Sequence, residues 1–180
     1  MNIFKRTCSL YGKAVCGLFC LSPLSLLLFR LWVAVDFFRA GLVKISDMNS
    51  TITLFQYIYH VPLLPPVAAA YIGTAVELIL PWFLGFGLFG RLTALFLFVY
   101  NIIAVISYPA LWPHGLWHGF WGSDFTDHKV WGLMLLAIIL YGPGKLSVDH
   151  ALKRWVLPRF GCSPATGPTA KLTTSGRSGG

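Results

Sequence analysis

Residues 30–47 read RLWVAVDFFRAGLVKISD, a stretch with the apolar density of a membrane span that nevertheless contains Arg30, Asp36, Arg39 and Lys44. Whether it crosses a bilayer decides the fold. The chain around it has 180 residues, 56% apolar and 11% charged, with a mean hydropathy of +0.69, which is too much apolar surface for one water-soluble core. An α-helical span needs roughly 20 mostly apolar residues. Four windows approach that length: about 20–45, 65–89, 91–110 and 128–142. The expected fold is therefore an all-α membrane protein, a four-transmembrane-helix bundle over residues 21–152, with a basic juxtamembrane lead at 1–20 and a basic, disordered tail at 153–180.

The formal net charge of +8 does not point to nucleic acid, because of where the charge sits. Lys5, Arg6 and Lys13 precede the first window, and Lys145, Lys153, Arg154, Arg159, Lys171 and Arg177 follow the last, so nine of the fourteen Lys and Arg lie in the two flanks. Arg91 lies in the second connection. Asp47, Asp124 and Asp127 fall in the first and third connections instead. Positive charge inside puts both termini in the cytoplasm, as four spans require. The basic-then-apolar start resembles a secretory signal in outline, but no A-x-A-like site follows and the apolar run continues past Arg30, so an uncleaved first helix is expected. Cys8, Cys16, Cys20 and Cys162 then lie on the reducing side, with Cys16 and Cys20 spaced for packing and not as a redox pair.

Depth follows from about 1.5 Å of rise per residue. With an exit near Ile45, Arg39 lies roughly 9 Å, Asp36 roughly 14 Å and Arg30 roughly 22 Å below the outer surface. Glu77 in the second window lies roughly 16 Å deep and Asn101 in the third roughly 12 Å. Asp36, Arg39, Glu77 and Asn101 thus share a layer. A lone charge there costs at least about 2.5–3.5 kcal/mol, so these groups should face one another. Asp36 and Arg39 are spaced to pair along the helix, and Glu77 then needs Arg39 or Lys44. Pro81 cannot donate to the Glu77 carbonyl, which leaves a free acceptor at the same depth. The layer reads either as an ion-pair network that fixes packing or as a polar pocket opening outward, and the pocket is the reading adopted. Arg30, near the inner face, is expected to snorkel.

The outward side gathers His60, His114, His118, Asp124, Asp127 and His128. The spacing of His114 and His118 would put both rings on one helical face, and with His60 they form a candidate copper, zinc or iron site; interfacial histidines bonded to water, headgroups or backbone are the plainer reading. Trp112, Trp117, Phe120, Trp121 and Phe125 mark the same loop as interfacial.

Four pieces occur in order: R-L-x(5)-F-F-R-A-G-L-x-K-I from Arg30, F-x-x-x-Y-x-V-P-L-L-P-P-x-x-A-A-Y from Phe55, Glu77 in the second span, and Y-P-x-x-W-P-x-x-x-x-H from Tyr108 before a last span ending G-P-G-x-L-S-x-D. Together they resemble the DoxX family of small bacterial four-helix membrane proteins, over about residues 25–152. The resemblance implies a bacterial inner-membrane, multi-pass location and a protein partner. Relatives include the quinone-linked subunit of thiosulfate:quinone oxidoreductase and partners of detoxification enzymes, and the V-P-L-L-P-P form is similar to members that accompany metal-stress systems. Many relatives carry an acid just before the Tyr matched by Tyr59, where this chain has Ile58. No catalytic set transfers; Arg39, Gly41, Lys44 and Glu77 match recurring positions.

These readings converge on a membrane subunit of a redox or metal-stress system, at most part of a quinone-linked oxidoreductase, with a pocket of Asp36, Arg39, Gly41, Lys44, Tyr59, Glu77 and Asn101 for a quinone-like molecule. No tightly bound cofactor is expected beyond quinone, since the chain has no C-x-x-C-H, no G-x-G-x-x-G after a strand and no cysteine cluster. A membrane scaffold or transporter, with self-association, is the alternative.

Overall fold

The computed structural model describes residues 2–155, so the tail expected to be disordered lies, from 156 onward, outside the described residues. Helix α1 runs unbroken over Asn2–Ser46, followed by α2 (Met48–Tyr57), α3 (Pro66–Phe86), α4 (Gly90–Ser107), a 3-10 turn at Pro109–Leu111, α5 (Leu116–Trp121), α6 (Thr126–Tyr141) and α7 (Val148–Trp155). At 45 residues α1 is roughly 67 Å long, over twice the bilayer's hydrocarbon core of about 30 Å, so the basic lead continues the first helix and is not a separate element. Two helices, α3 and α4, are each long and apolar enough to cross a membrane. Helix α6, with 16 residues, is shorter than a full span.

The helix ends have local causes. Helix α2 is capped by Asp47, whose carboxylate accepts from the Ser50 amide at 3.0 Å and from the Ser50 hydroxyl. Those bonds, the hydroxyl first, hold the Asp47 carboxyl below its ordinary range. Pro66 opens α3, where its missing N–H costs nothing. Gly87 closes it at φ +68°, with the Gly87 amide donating to Leu84 O and the Leu88 amide to Phe83 O. A Cβ at Gly87 would also strike the Arg30 guanidinium and Ser147, so glycine is required there for space as well as for conformation.

Helix α1 packs mainly on α3, α4 mainly on α6, and weaker α1–α6 and α3–α4 contacts close a four-helix ring with α2 lying on α3. The core is thin: Val33, Phe37, Leu84, Ala94, Leu97, Leu135 and Ile138. Several polar groups are buried with it, and many large apolar groups lie outside. Arg30 is 0% exposed whereas Val43 is 72% exposed, and Trp32, Trp82, Leu133 and Leu140 also project outward. An apolar shell this continuous has to be covered by something other than water.

Candidate functional site

The site is built where α1, α3 and α4 meet near the α2 end of the bundle. On α1, Val33, Phe37, Gly41 and Lys44 recur at intervals of four, four and three residues, which is one helical face. On α3, Ala70, Thr74, Glu77, Pro81 and Leu84 are buried at the same periodicity. Gly41 lets the two faces meet: a Cβ there would lie 3.0 Å from the Glu77 carbonyl carbon and from the Leu78 side chain. It thereby permits close helix approach.

That approach carries Lys44 to Glu77. The Lys44 Nζ donates to Glu77 Oε1 at 2.5 Å, with the lysine side chain 21% and the carboxylate 7% exposed. The Tyr100 hydroxyl of α4 donates to the same oxygen at 2.7 Å. Oε2 is buried without a partner. One carboxylate oxygen is thus doubly engaged while the other keeps its acceptor capacity in a site closed to water, an arrangement that can accept one more donor or take a proton. Removing either charge would leave the other buried and uncompensated.

Above this pair lies an aromatic stack. A Cβ at Gly73 would meet both the Tyr100 hydroxyl and the Phe55 ring, so these two groups adjoin across that glycine. Phe55 stacks on Tyr59 at 4.8 Å between centroids, and Tyr59 in turn on Tyr108 at 4.8 Å. Tyr59 lines a small cavity of about 270 Å³ with Phe55, Gln56, His60, Val61 and Leu64. Burial, then the proximity of Tyr108 and Glu77, pushes the Tyr59 phenol above its ordinary value.

Asp36 and Asn101 belong to a second polar cluster on α6. Asp36 Oδ2 accepts from the Trp131 indole at 3.0 Å. Asn101 Nδ2 donates to the His128 carbonyl at 2.8 Å, which orients its amide so that Oδ1 faces His128 Nδ1, also at 2.8 Å. That nitrogen must then carry the ring proton. His128 and Trp131 touch edge to face at 4.9 Å, joining the cluster.

Several expectations need correcting. Arg39 is exposed and takes no part in either cluster. It sits two residues from both Phe37 and Gly41, about 200° around the helix from each, so depth alone misplaced it. Asp36 accordingly bonds Trp131 and not Arg39. Arg30 does not snorkel: it is fully buried, and Nη2 donates to Leu146 O at 2.5 Å. His60, His114 and His118 are not brought together as a metal site; among the described residues no three His, Cys, Asp or Glu side chains are grouped to hold an ion. His60 instead ties its backbone amide to Ser107 O at 2.7 Å, and the rings of His114 and His118 lie 6.0 Å apart near Asp124.

Tyr100 was not singled out in the sequence, and His128 and Asp149 were placed there without the partners they have. Tyr100 adjoins Asn101, and a mid-span Tyr hydroxyl needs a partner, which was the available signal. His128 was assigned to the outer mouth although its ring bonds Asn101. Asp149, within G-P-G-x-L-S-x-D, accepts from the Phe89 and Gly90 amides at 2.8 and 2.7 Å and so caps α4 from a distant part of the chain.

A Haemophilus influenzae protein described as "Uncharacterized protein" is 29% identical over 134 residues, covering 74% of this chain and 86% of that one. No solved structure matches the chain. The DoxX family model matches residues 25–110, the segment that contains Gly41, Lys44, Tyr59, Glu77, Tyr100 and Asn101. Over that segment the chain is similar to the DoxX family.

Proposed function

We propose that the protein is a four-span subunit of the bacterial inner membrane, with both termini cytoplasmic, that binds a quinone-like molecule between the Glu77–Lys44 pair and the Tyr59 stack on behalf of a redox or metal-stress partner. The observation that carries this reading is the unpartnered, buried Oε2 of Glu77 beside Lys44 and Tyr100, with Tyr100 adjoining Phe55 in the wall of an aromatic-lined cavity. A volume of about 270 Å³ is close to the lower end of small-molecule sites, roughly 300 Å³. It suits a single ring, whose apolar chain would extend into lipid. The Tyr59 hydroxyl and Lys44 ammonium are donors for a ring carbonyl, and Glu77 is placed to exchange a proton. Reduction of a quinone to a quinol consumes two electrons and two protons; the electrons come from the partner, and the subunit supplies binding and a proton path.

The test is the quinone content of gently extracted protein. Wild type and Arg39→Ala are expected to retain quinone, whereas Glu77→Gln and Lys44→Met lose most of it. Equal content in all four, or none in the wild type, overturns the reading and leaves the ion pair as a packing device.

A further inference from the structure

At the opposite end of the bundle from Glu77, a groove of about 1490 Å³ opens between α1, the start of α4, the end of α6 and α7. Its floor is apolar, with Leu26, Phe29 and Leu92, and its rim carries Arg91, Lys145 and Lys153. Arg91 lies over Gly142, where a Cβ would come within 3.3 Å of its Nε. It makes one long bond, Nη2 to Leu140 O at 3.4 Å, which uses one of five guanidinium donors. Asp149 also lines the groove, held by the Phe89 and Gly90 amides, and its one negative charge leaves the three basic residues of the rim in excess.

Helix α7 forms one wall and is built for an interface. Val148, Ala151, Leu152 and Trp155 fall on one face at helical spacing, and His150, Lys153 and Arg154 on the other. None of its residues is buried. A short helix with an open apolar face and a basic one lies in the plane of a membrane surface. The groove sits at that level, since Arg91 is the second residue of α4 and Gly142 directly follows α6.

We propose that this groove binds one anionic phospholipid, its phosphate held by Arg91, Lys145 and Lys153 and an acyl chain lying along Leu26, Phe29 and Leu92. The combination of a basic rim and an apolar floor fits an amphiphile; a free phosphate would leave the floor uncovered. The chain's own residues 156–180 are a poor occupant, because they add Arg159, Lys171 and Arg177 and no acid to a rim that is already basic. The site is independent of the Glu77 pocket.

The experiment is lipid retention by the full chain in neutral detergent, measured by native mass spectrometry with phosphatidylglycerol and phosphatidylcholine at equal concentration. Wild type is expected to prefer phosphatidylglycerol, and Arg91→Gln and Lys145→Gln are each expected to weaken that preference about fivefold, the worth of one basic residue at a membrane surface. Arg154→Gln removes the same charge from α7 outside the groove lining and should change it less than about twofold. Lys145 lies in the α6–α7 connection, so its variant tests the site even where Arg91→Gln disturbs α4. Equal losses in all three variants would reduce the effect to general surface attraction and overturn the site. So would the absence of a phosphatidylglycerol preference, or displacement of the lipid by millimolar inorganic phosphate.

Discussion

Lys44 and Arg39 differ by five positions and by everything that matters physically. Lys44 is part-buried against Glu77, so Lys44→Met leaves a carboxylate in a closed site without its cation, at a cost of roughly 3–5 kcal/mol. Arg39→Met touches no partner and should stay within about 0.5 kcal/mol of wild type. Thermal unfolding in detergent should therefore show a large drop for the first and almost none for the second. The double variant Lys44→Met/Glu77→Leu should recover much of the loss, since a well-packed apolar pair replaces a buried ion pair at little cost; no recovery would mean that the pair contributes more than mutual compensation. Gly41→Ala puts a methyl 3.0 Å from the α3 backbone, an overpacking of about 1–3 kcal/mol measurable in the same assay. Tyr59 has a pH signature. Its phenol is raised, so the neutral form is favoured in the fold, and the stability this contributes is complete below the unfolded value of about 10 and lost as pH rises through the folded one. Subtracting a Tyr59→Phe titration, followed by phenolate absorbance, from that of the wild type should reveal a component above about 10.

Among the elements, hydropathy located α3 and α4 to within a few residues, because sustained apolar runs between Pro66, Gly87, Gly90 and Tyr108 leave few alternatives. It did not locate α7. GPGKLSVDH reads as the end of a span, yet α7 begins within it, and Asp149 in its first turn caps α4 by reaching the Phe89 and Gly90 amides some sixty residues away. Asp149→Ala should expose those two amides to hydrogen exchange and cost about 1.5–3 kcal/mol, while Asp149→Asn, which replaces one of the two accepting oxygens with an NH2 donor, should fall between. Asp47 acts at shorter range. Its carboxyl is lowered by Ser50, so the capping it supplies is complete above the unfolded value of about 3.9 and is lost as pH falls through the folded one. Protection of the Ser50 amide, taken relative to the rate of an unstructured amide at the same pH, should fall in acid in the wild type, whereas in Asp47→Ala it should be low at every pH.

At the scale of the molecule, an apolar exterior around a polar layer is the arrangement expected where lipid is the solvent, and it makes topology testable. Ser123 in the α5–α6 connection and Lys145 in the α6–α7 connection, changed to Cys one at a time in a background free of native cysteines, should label from opposite sides of intact spheroplasts and inverted vesicles. Labelling from the same side would rule out α6 as a span. Composition and hydrophobic periodicity by themselves determined that the chain is helical, belongs in a membrane and carries ionisable groups at mid-depth, because those properties depend on residue type and on distance along the chain. They also carried the family resemblance, which is a matter of residue order. Which groups face one another was decided only in the folded bundle. Depth is a linear coordinate legible at about 1.5 Å per residue, but pairing depends on rotation about each helix axis, and Arg39 and Lys44 separate there. Neighbours across helices, such as Tyr100 on Glu77, His128 on Asn101 and Trp131 on Asp36, arise from the packing of three or four helices at once, and no single helix encodes them.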